Sequence, residues 1–274
     1  MAVVIASYSE KGGVGKTSLA AGLTAVAADQ GSSVVAVDLD PRASLTTELG
    51  VDSSPPFSVN DLLYLDPKAK EAPPDPAEVV TDALVPAGKA WPEAVRVLGA
   101  ERALAHRETD STLGMDTRLA RAVDGMHGVD LVVIDMPPRA GGKLTAVGLA
   151  AATHVIIPAT LTTDGIEGVE HALTTLGLAM TPRGLNPALT ITGIVRSIVP
   201  RERDLREIHR EFDRQLSERW EALLLPTMIR NYSIREEARF AATPITAAPG
   251  REAGYLAQAY REVLGQVLPT GASQ

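Results

Sequence analysis

Short apolar runs alternate along the chain with longer stretches in which apolar residues recur every three or four positions. The runs that are rich in valine and isoleucine are predicted to be strands: 2–7, 33–40, 129–136, 153–159, 189–199 and 223–229. These runs are continuously apolar and do not alternate with polar residues. They therefore suit parallel strands that are covered by helices on both faces.

Helical patterns fill the intervals between these strands. They cover residues 16–30, which Gly31 ends, and also residues 164–180, 203–224 and 252–268. Strand and helix alternating in this way are typical of a doubly wound α/β fold. We therefore predict a single domain over residues 1–268, with a mostly parallel sheet flanked by helices.

Two segments depart from the alternation. Residues 51–90 contain the proline-rich, charged stretch DPKAKEAPPDPAE, which predicts an exposed excursion on the surface. The last six residues, PTGASQ at 269–274, are expected to be frayed.

Composition excludes several kinds of chemistry. The chain has 274 residues, of which 45% are hydrophobic and 22% charged, and it has no cysteine. Disulfides, thiolate metal sites, iron–sulfur clusters and cysteine nucleophiles are therefore excluded. No basic leader precedes the first strand, and no apolar run approaches eighteen residues, so the sequence predicts a cytoplasmic protein.

The stretch SEKGGVGKTS follows the first predicted strand and opens the first predicted helix. It fits the phosphate-loop pattern G-x-x-x-x-G-K-[ST] except that Glu10 stands at the first glycine. The alternative is a glycine-rich turn that binds nothing, but the flanking strand and helix favour a phosphate loop. The candidate nucleotide-binding residues are Lys11, Gly12, Gly13, Val14, Gly15, Lys16, Thr17 and Ser18.

Three side chains of this loop have distinct expected roles. Lys16 is expected to reach the β- and γ-phosphates of a nucleotide, and the Thr17 hydroxyl to hold Mg²⁺. Ser18 is expected to bond an α-phosphate oxygen.

The motif K-G-G-V-G-K-T resembles the deviant Walker A loop of the ParA/MinD family of ATPases. The resemblance implies ATP and Mg²⁺ as cofactors and an ATP-dependent homodimer. It also implies that Lys11 reaches the nucleotide of the other subunit, as an arginine finger does in trans. The alternative for Lys11 is a solvated lysine at the edge of the loop.

Two further motifs are similar to those of this family. VDLDPRAS at 37–44 resembles its switch I, usually D-x-D-P-Q, which implies that Asp40 positions the attacking water. Asp38 is the alternative acid, and Arg42 stands where the family has glutamine. DLVVIDMPP at 130–138 resembles a Walker B strand, so that Asp135 is expected to hold Mg²⁺ through water. The following RAGGKL resembles a mobile switch II, with Gly141 and Gly142 as candidate hinges.

Charge is unevenly spread along the chain. The formal net charge is −8, yet residues 196–262 contain 12 Lys+Arg against 11 Asp+Glu. Arginine bonds two phosphate oxygens at once, so this part of the chain is the candidate DNA-binding region. The candidate residues are Arg201, Arg203, Arg230 and Arg235. Ordinary surface ion pairs are the alternative for arginines in this region.

Among members of the family, the chain most resembles a small ParA without an N-terminal helix-turn-helix domain. That resemblance implies a nucleoid-associated ATPase that binds double-stranded DNA without sequence preference. A ParB-like partner is then expected to stimulate hydrolysis and so to drive plasmid or chromosome segregation.

Three alternatives stay open at this point. One is a similar ATPase that positions a protein cargo such as a carboxysome or a chemotaxis cluster. Another is a MinD-like membrane ATPase, which the polar end of the chain disfavours. The third is an ATP-dependent synthetase for a small molecule, which Lys11 disfavours because a lysine acting across a dimer suits switching.

Overall fold

The computed structural model describes residues 2–51, 57–66, 68–69 and 71–268. The predicted frayed tail, 269–274, lies outside them. The strands are β1 Val3–Ser7, β2 Val34–Asp38, β3 Val85–Pro86, β4 Val95–Leu98, β5 Leu131–Asp135, β6 His154–Ala159, β7 Thr190–Val199 and β8 Leu224–Arg230. The helices are α1 Lys16–Asp29, α2 Ser44–Glu48, α3 Val59–Leu63, α4 Pro76–Ala83, α5 Arg118–Asp124, α6 Lys143–Ala151, α7 Thr163–Ala179, α8 Glu207–Trp220, α9 Ile234–Phe240 and α10 Arg251–Val267.

The strands form one sheet in the order β3-β4-β2-β5-β1-β6-β7-β8. Neighbouring strands run parallel except β3 and β4, which pair antiparallel at one edge. The predicted fold class, a mostly parallel doubly wound sheet, is confirmed. Because β2, β5 and β1 are neighbours, the loops that follow them meet at one edge of the sheet, where ligands bind in such folds.

Each face of the sheet has its own hydrophobic core. In β1, Val4 and Ala6 face the core beneath α5, α6 and α7, whereas Ile5 faces the core beneath α1 and α10. Helices α1 and α10 approach so closely that a Cβ at Gly22 would lie 2.5 Å from the ring of Tyr260. The continuously apolar strands are thus explained by burial on both faces.

The segment 51–90 is more than the predicted surface excursion. Helix α3 buries Val59, Leu62 and Leu63 completely, and Ser58 caps the helix by accepting a hydrogen bond from an N–H of its first turn. Among the described residues of this segment, the longest continuously exposed stretch is 71–75. The proline and charge content predicted exposure, but it gave no sign of the short apolar helix beside this stretch.

The apolar spacing predicts a helix over 203–224, but the helix in the structure, α8, is shorter and covers Glu207–Trp220. A 3₁₀ turn at Glu202–Asp204 precedes α8, and a second one at Glu221–Leu223 follows it and leads into β8. In the part of the chain that the structure describes, no helix is long and apolar enough to cross a bilayer.

Candidate nucleotide-binding site

The phosphate loop connects β1 to α1. Gly13 and Gly15 have φ angles of 74° and 91°, in the left-handed region that glycine adopts without strain. Gly15 is the N-cap of α1 and supplies no side-chain cap, so the first N–H groups of this 14-residue helix keep their capacity to bind an anion. Gly12 and Gly13 are exposed, with open space where a side chain would stand.

The loop is supported from behind by β7. The buried hydroxyl of Ser197 donates a hydrogen bond of 2.5 Å to the carbonyl oxygen of Val14. The next residue, Ile198, has a φ of 53°, a costly conformation for a β-branched residue, and its side chain lies against Gly15. The backbone at the end of β7 therefore fixes the base of the loop.

Lys16 lies largely buried within the loop. Its ammonium group donates a hydrogen bond of 2.8 Å to the carbonyl oxygen of Lys11. Burial lowers the pKa of Lys16 to about 8, against the opposing effect of Asp135 and Asp40, which favour the charged form. A nucleotide phosphate at this position would supply the negative charge that a buried ammonium needs.

Thr17 and Asp135 are brought together by the pairing of β1 with β5. The Thr17 hydroxyl donates a hydrogen bond of 2.6 Å to Oδ2 of Asp135, whereas the buried Oδ1 of Asp135 has no hydrogen-bond partner among the described residues. Burial and the nearby Asp38 raise the pKa of Asp135 well above its usual value. An unpaired buried carboxylate oxygen beside a threonine hydroxyl fits Mg²⁺, which takes oxygen ligands and retains several waters.

The two acids at the end of β2 have different environments. Asp38 is fully buried and accepts hydrogen bonds from the Asp40 N–H and from the N–H and hydroxyl of Thr46. Burial raises the pKa of Asp38 to about 6, although these hydrogen bonds act in the opposite direction. Asp38 therefore shapes the loop, and this favours Asp40 as the acid that faces the nucleotide.

Arg42 covers the carboxylate of Asp40. Its guanidinium reaches Oδ2 of Asp40 from Nη2 at 2.8 Å and from Nε at 3.1 Å. Sequence reasoning noted the arginine as a departure from the family pattern but gave no sign of this contact.

Lys11 turns away from its own loop. Its ammonium group forms ion pairs with Asp164 at 3.1 Å and with Glu167 at 2.8 Å, both on α7. These two partners were missed because they lie more than 150 positions away in the sequence. The expected role of Lys11 across a dimer remains a prediction.

Glu10, the residue that breaks the phosphate-loop pattern, has a structural role. Its Oε1 accepts hydrogen bonds from the hydroxyls of Tyr8, at 3.1 Å, and Thr175, at 2.6 Å. Tyr8 is fully buried, and burial together with Glu10 raises its pKa. Glu10 thus ties the start of the loop to α7.

The predicted switch II follows β5. Gly141 has a φ of 60°, and Glu108 accepts a 2.9 Å hydrogen bond from the N–H of Lys143 at the start of α6. A Cβ at Gly142 would lie 2.5 Å from the Glu108 carboxylate. Glu108, which no sequence pattern indicated, therefore holds the end of this segment.

Three of the four candidate DNA-binding arginines lie near the carboxyl ends of β7 and β8. Arg201 pairs with Glu252 at 3.0 Å and stacks over Tyr232, and Arg230 pairs with Glu202 at 2.9 Å. Arg203 is 75% exposed, and its Nε lies 3.7 Å from Oδ2 of Asp204. Arg203 is exposed and Arg201 and Arg230 are partly exposed, at the same edge of the sheet as the phosphate loop.

The fourth candidate, Arg235, is largely covered and held in an internal ion pair, and the expectation that it contacts DNA is wrong. Its guanidinium lies 2.5 Å from the carboxylate of Glu48, and only 12% and 5% of the two side chains are exposed. Tyr260 lies beside this pair. The side chain of Arg235 forms an internal ion pair that joins α9 to α2. The spacing of charged residues in the sequence gave no sign of this pair.

Replacing Arg235 tests this correction. We expect Arg235→Ala to lower the free energy of unfolding by about 3 kcal/mol, because the buried Glu48 carboxylate loses its close partner and keeps a longer 3.8 Å contact with Arg239. Urea unfolding measures the change. Arg203→Ala is the matched control, since an exposed arginine should change stability by less than about 0.5 kcal/mol. Unchanged stability in Arg235→Ala would contradict the structural role.

Comparison with known proteins agrees with this geometry. Residues 2–191 match a family model described as an AAA domain. The chain is 32% identical over 265 residues to the chromosome-partitioning ATPase Soj of Thermus thermophilus, covering 96% of this chain and 94% of that protein. It is 31% identical over 205 residues to the chromosome partitioning protein ParA of Caulobacter vibrioides, covering 74% and 72%.

Solved structures share the whole architecture. Cobyrinic acid a,c-diamide synthase from Mycobacterium smegmatis, with bound ADP and magnesium, superposes with a TM-score of 0.77 at 30% identity, covering 100% of this chain and 96% of that one. Apo McdA from Cyanothece superposes with a TM-score of 0.79 at 20% identity, covering 97% and 100%, which shows a shared fold.

The fold and the site together define a P-loop ATPase with a second lysine in its phosphate loop. With the matched family model and the Soj and ParA relatives, the chain belongs to the ParA/MinD family of ATPases. It is an ATP hydrolase that uses ATP and Mg²⁺, and the relatives support a ParA-type positioning ATPase.

Proposed function

We propose that this protein is a ParA-type partition ATPase that drives segregation of plasmid or chromosomal DNA in the cytoplasm, on the nucleoid. The observation that carries the proposal is the position of Lys11, at the edge of the loop and paired with exposed acids of α7. A lysine so placed can leave these acids for the nucleotide of a second subunit. This gives the residue a use that a solvated loop lysine does not have.

Each part of the site has a role in this proposal. Lys16 and the N–H groups of the loop bind the phosphates, and the Ser18 hydroxyl bonds an α-phosphate oxygen. Asp40 orients the attacking water. Thr17 and Asp135 hold Mg²⁺, which neutralises charge on the phosphate oxygens. Lys11 of a second subunit adds a further cation, so that hydrolysis is coupled to dimerisation.

The proposed DNA surface comprises Arg201, Arg203 and Arg230. In one subunit the nearby acids Glu202 and Glu252 balance much of their charge. Two such surfaces in a dimer would contact the DNA backbone together, so an acidic chain can bind DNA only when it carries ATP. A ParB-like partner then stimulates hydrolysis and releases the dimer from DNA.

Binding to a random-sequence DNA duplex tests this function. We expect tight binding with Mg·ATP and weak binding with Mg·ADP. If six arginines of a dimer contact phosphates, affinity should fall about 10³-fold between 50 and 200 mM salt, because each contact releases counterions. Fluorescence anisotropy over a salt series measures both quantities.

A pair of arginine variants sharpens this test. Arg203→Ala should weaken binding and make the salt dependence shallower. Arg214→Ala is the matched control, because Arg214 is an exposed arginine of α8 that is already paired with Glu211 and Glu218. Absence of binding in both nucleotide states would refute the DNA-binding part of the proposal.

One comparison favours a second candidate function. The Mycobacterium smegmatis structure carries the name of a small-molecule amide synthase at 30% identity. ATP turnover that rises with a carboxylic acid substrate and an ammonia donor, and that yields an amide, would support that function for this chain. Turnover that rises with DNA and a protein partner would support partition.

The kind of cargo is a separate question within the same mechanism. The likeness to McdA shows a shared fold and does not identify a cargo. A protein assembly, such as a carboxysome or a chemotaxis cluster, is therefore kept as the alternative cargo. Affinity capture with the ATP-bound protein distinguishes a DNA-bound partner from a component of a protein assembly.

A further inference from the structure

The contact between Arg42 and Asp40 engages both oxygens of the carboxylate. Oδ1 accepts hydrogen bonds from the Arg42 N–H at 3.0 Å and from Nε at 3.3 Å. Oδ2 accepts from Nε at 3.1 Å and from Nη2 at 2.8 Å. The guanidinium therefore grips the carboxylate in the two-pronged arrangement that arginine makes with acids.

This grip leaves the carboxylate little capacity for another donor. An ionised carboxylate has about four lone-pair positions, and three N–H groups of Arg42 occupy most of them, with the single Nε–H shared between both oxygens. A residue that orients an attacking water must accept a hydrogen bond from it. In this arrangement the guanidinium competes with the water for the oxygens of Asp40, so the carboxylate accepts from the water more readily once the guanidinium moves.

The burial of the two side chains is unequal. Asp40 is 7% exposed, whereas Arg42 is 67% exposed. The guanidinium lies on the solvent side and can swing outward into water without a large loss of hydration. The backbone hydrogen bond from Arg42 to Oδ1 can persist during this movement and keep Asp40 in place.

We propose that Arg42 is a positioning residue that restrains Asp40 and keeps hydrolysis slow until its side-chain contact opens. The proposal rests on the role of Asp40 given under the proposed function. It adds a restraint built into switch I of this chain, at the position where the resemblance gives glutamine. A stimulating partner would then act by drawing the exposed guanidinium away.

The competing idea is that Arg42 itself moves onto the transferring phosphate and assists hydrolysis. Arg42 is near enough to Lys16 to act on its pKa, so a cation there could favour either outcome. The two ideas predict opposite changes when the arginine is removed. The observed grip on both oxygens favours restraint.

Steady-state ATP turnover without DNA or partner provides the first test. Arg42→Gln should raise kcat about threefold to tenfold with little change in KM, because the fraction of molecules with a free Asp40 increases. Arg42→Lys should also raise kcat, since a lysine keeps the charge but not the planar grip. Arg214→Gln, which removes an exposed arginine remote from the site, should leave kcat unchanged.

A spectroscopic measurement on the nucleotide-free protein provides the second test. The Nε–H of Arg42 should give a resonance protected from exchange with water, identified by its absence in Arg42→Gln. Asp40→Asn should abolish the protection, because the neutral amide cannot hold the guanidinium. An unprotected resonance in the unaltered protein would overturn the restraint.

The outcomes separate this proposal from the proposed function. A fall or no change in kcat in Arg42→Gln, or no turnover in any variant, would overturn the restraint. Failure to bind DNA, together with a raised kcat in Arg42→Gln, would overturn partition while the restraint stands.

Discussion

Lys16→Ala is expected to lower ATP turnover at least about a hundredfold, the scale of losing one preorganised cation or donor from a reaction site. The ammonium is buried in the loop and donates a hydrogen bond to the carbonyl oxygen of Lys11. Binding of a fluorescent ATP analogue and release of inorganic phosphate measure the two parts of the effect.

The control for this change is Lys89→Ala. Lys89 is exposed and lies in the turn between β3 and β4, at the far edge of the sheet. Its removal should leave nucleotide binding and turnover unchanged. Thermal melting of both variants checks that the fold is retained. Normal turnover in a folded Lys16→Ala protein would discard the phosphate-loop assignment.

Lys11→Ala is expected to keep nucleotide binding but to lose ATP-dependent dimerisation. Turnover should then fall about 10³-fold or more, because the second cation at the phosphate is supplied only across the dimer. Lys11 is paired with acids that are 77% and 48% exposed, and pairs of this kind exchange readily for a phosphate. Light scattering with a slowly hydrolysed ATP analogue measures the dimer.

A charge-neutralising variant on α7 provides the comparison. Glu167→Gln removes one partner of Lys11 but keeps the lysine, so dimerisation should persist. If Lys11→Ala forms the same dimer as the unaltered protein, the lysine is a surface residue and the dimer model is wrong. If both variants lose the dimer, α7 itself contributes to the contact between subunits.

The two expectations concern different steps of one cycle. Lys16 is proposed to act within a single chain, so its loss should be visible as weak nucleotide binding in the monomer. Lys11 is proposed to act after nucleotide binding, so its loss should be visible only when subunits meet. Measuring binding and association separately therefore distinguishes a failed phosphate loop from a failed dimer.

The sequence by itself determined the parts of this protein that depend on neighbouring residues. The apolar runs gave the inner strands, since a strand buried on both faces is apolar throughout. The phosphate loop, with Lys16 and Thr17, was readable because its function needs a fixed local order of glycine, lysine and hydroxyl. Asp135 was readable because it ends an apolar strand.

Only the tertiary structure decided which charged groups meet. Arg235 looked like its accessible neighbours, yet α9 packs so that it pairs with buried Glu48. Lys11 finds two acids of α7, and Asp40 is covered by Arg42. Such partners are chosen by how elements pack, and packing leaves no periodic signal in the chain. The sequence therefore determined which reactive and charged groups the protein has. The fold decided which of these groups pair with one another and which face solvent.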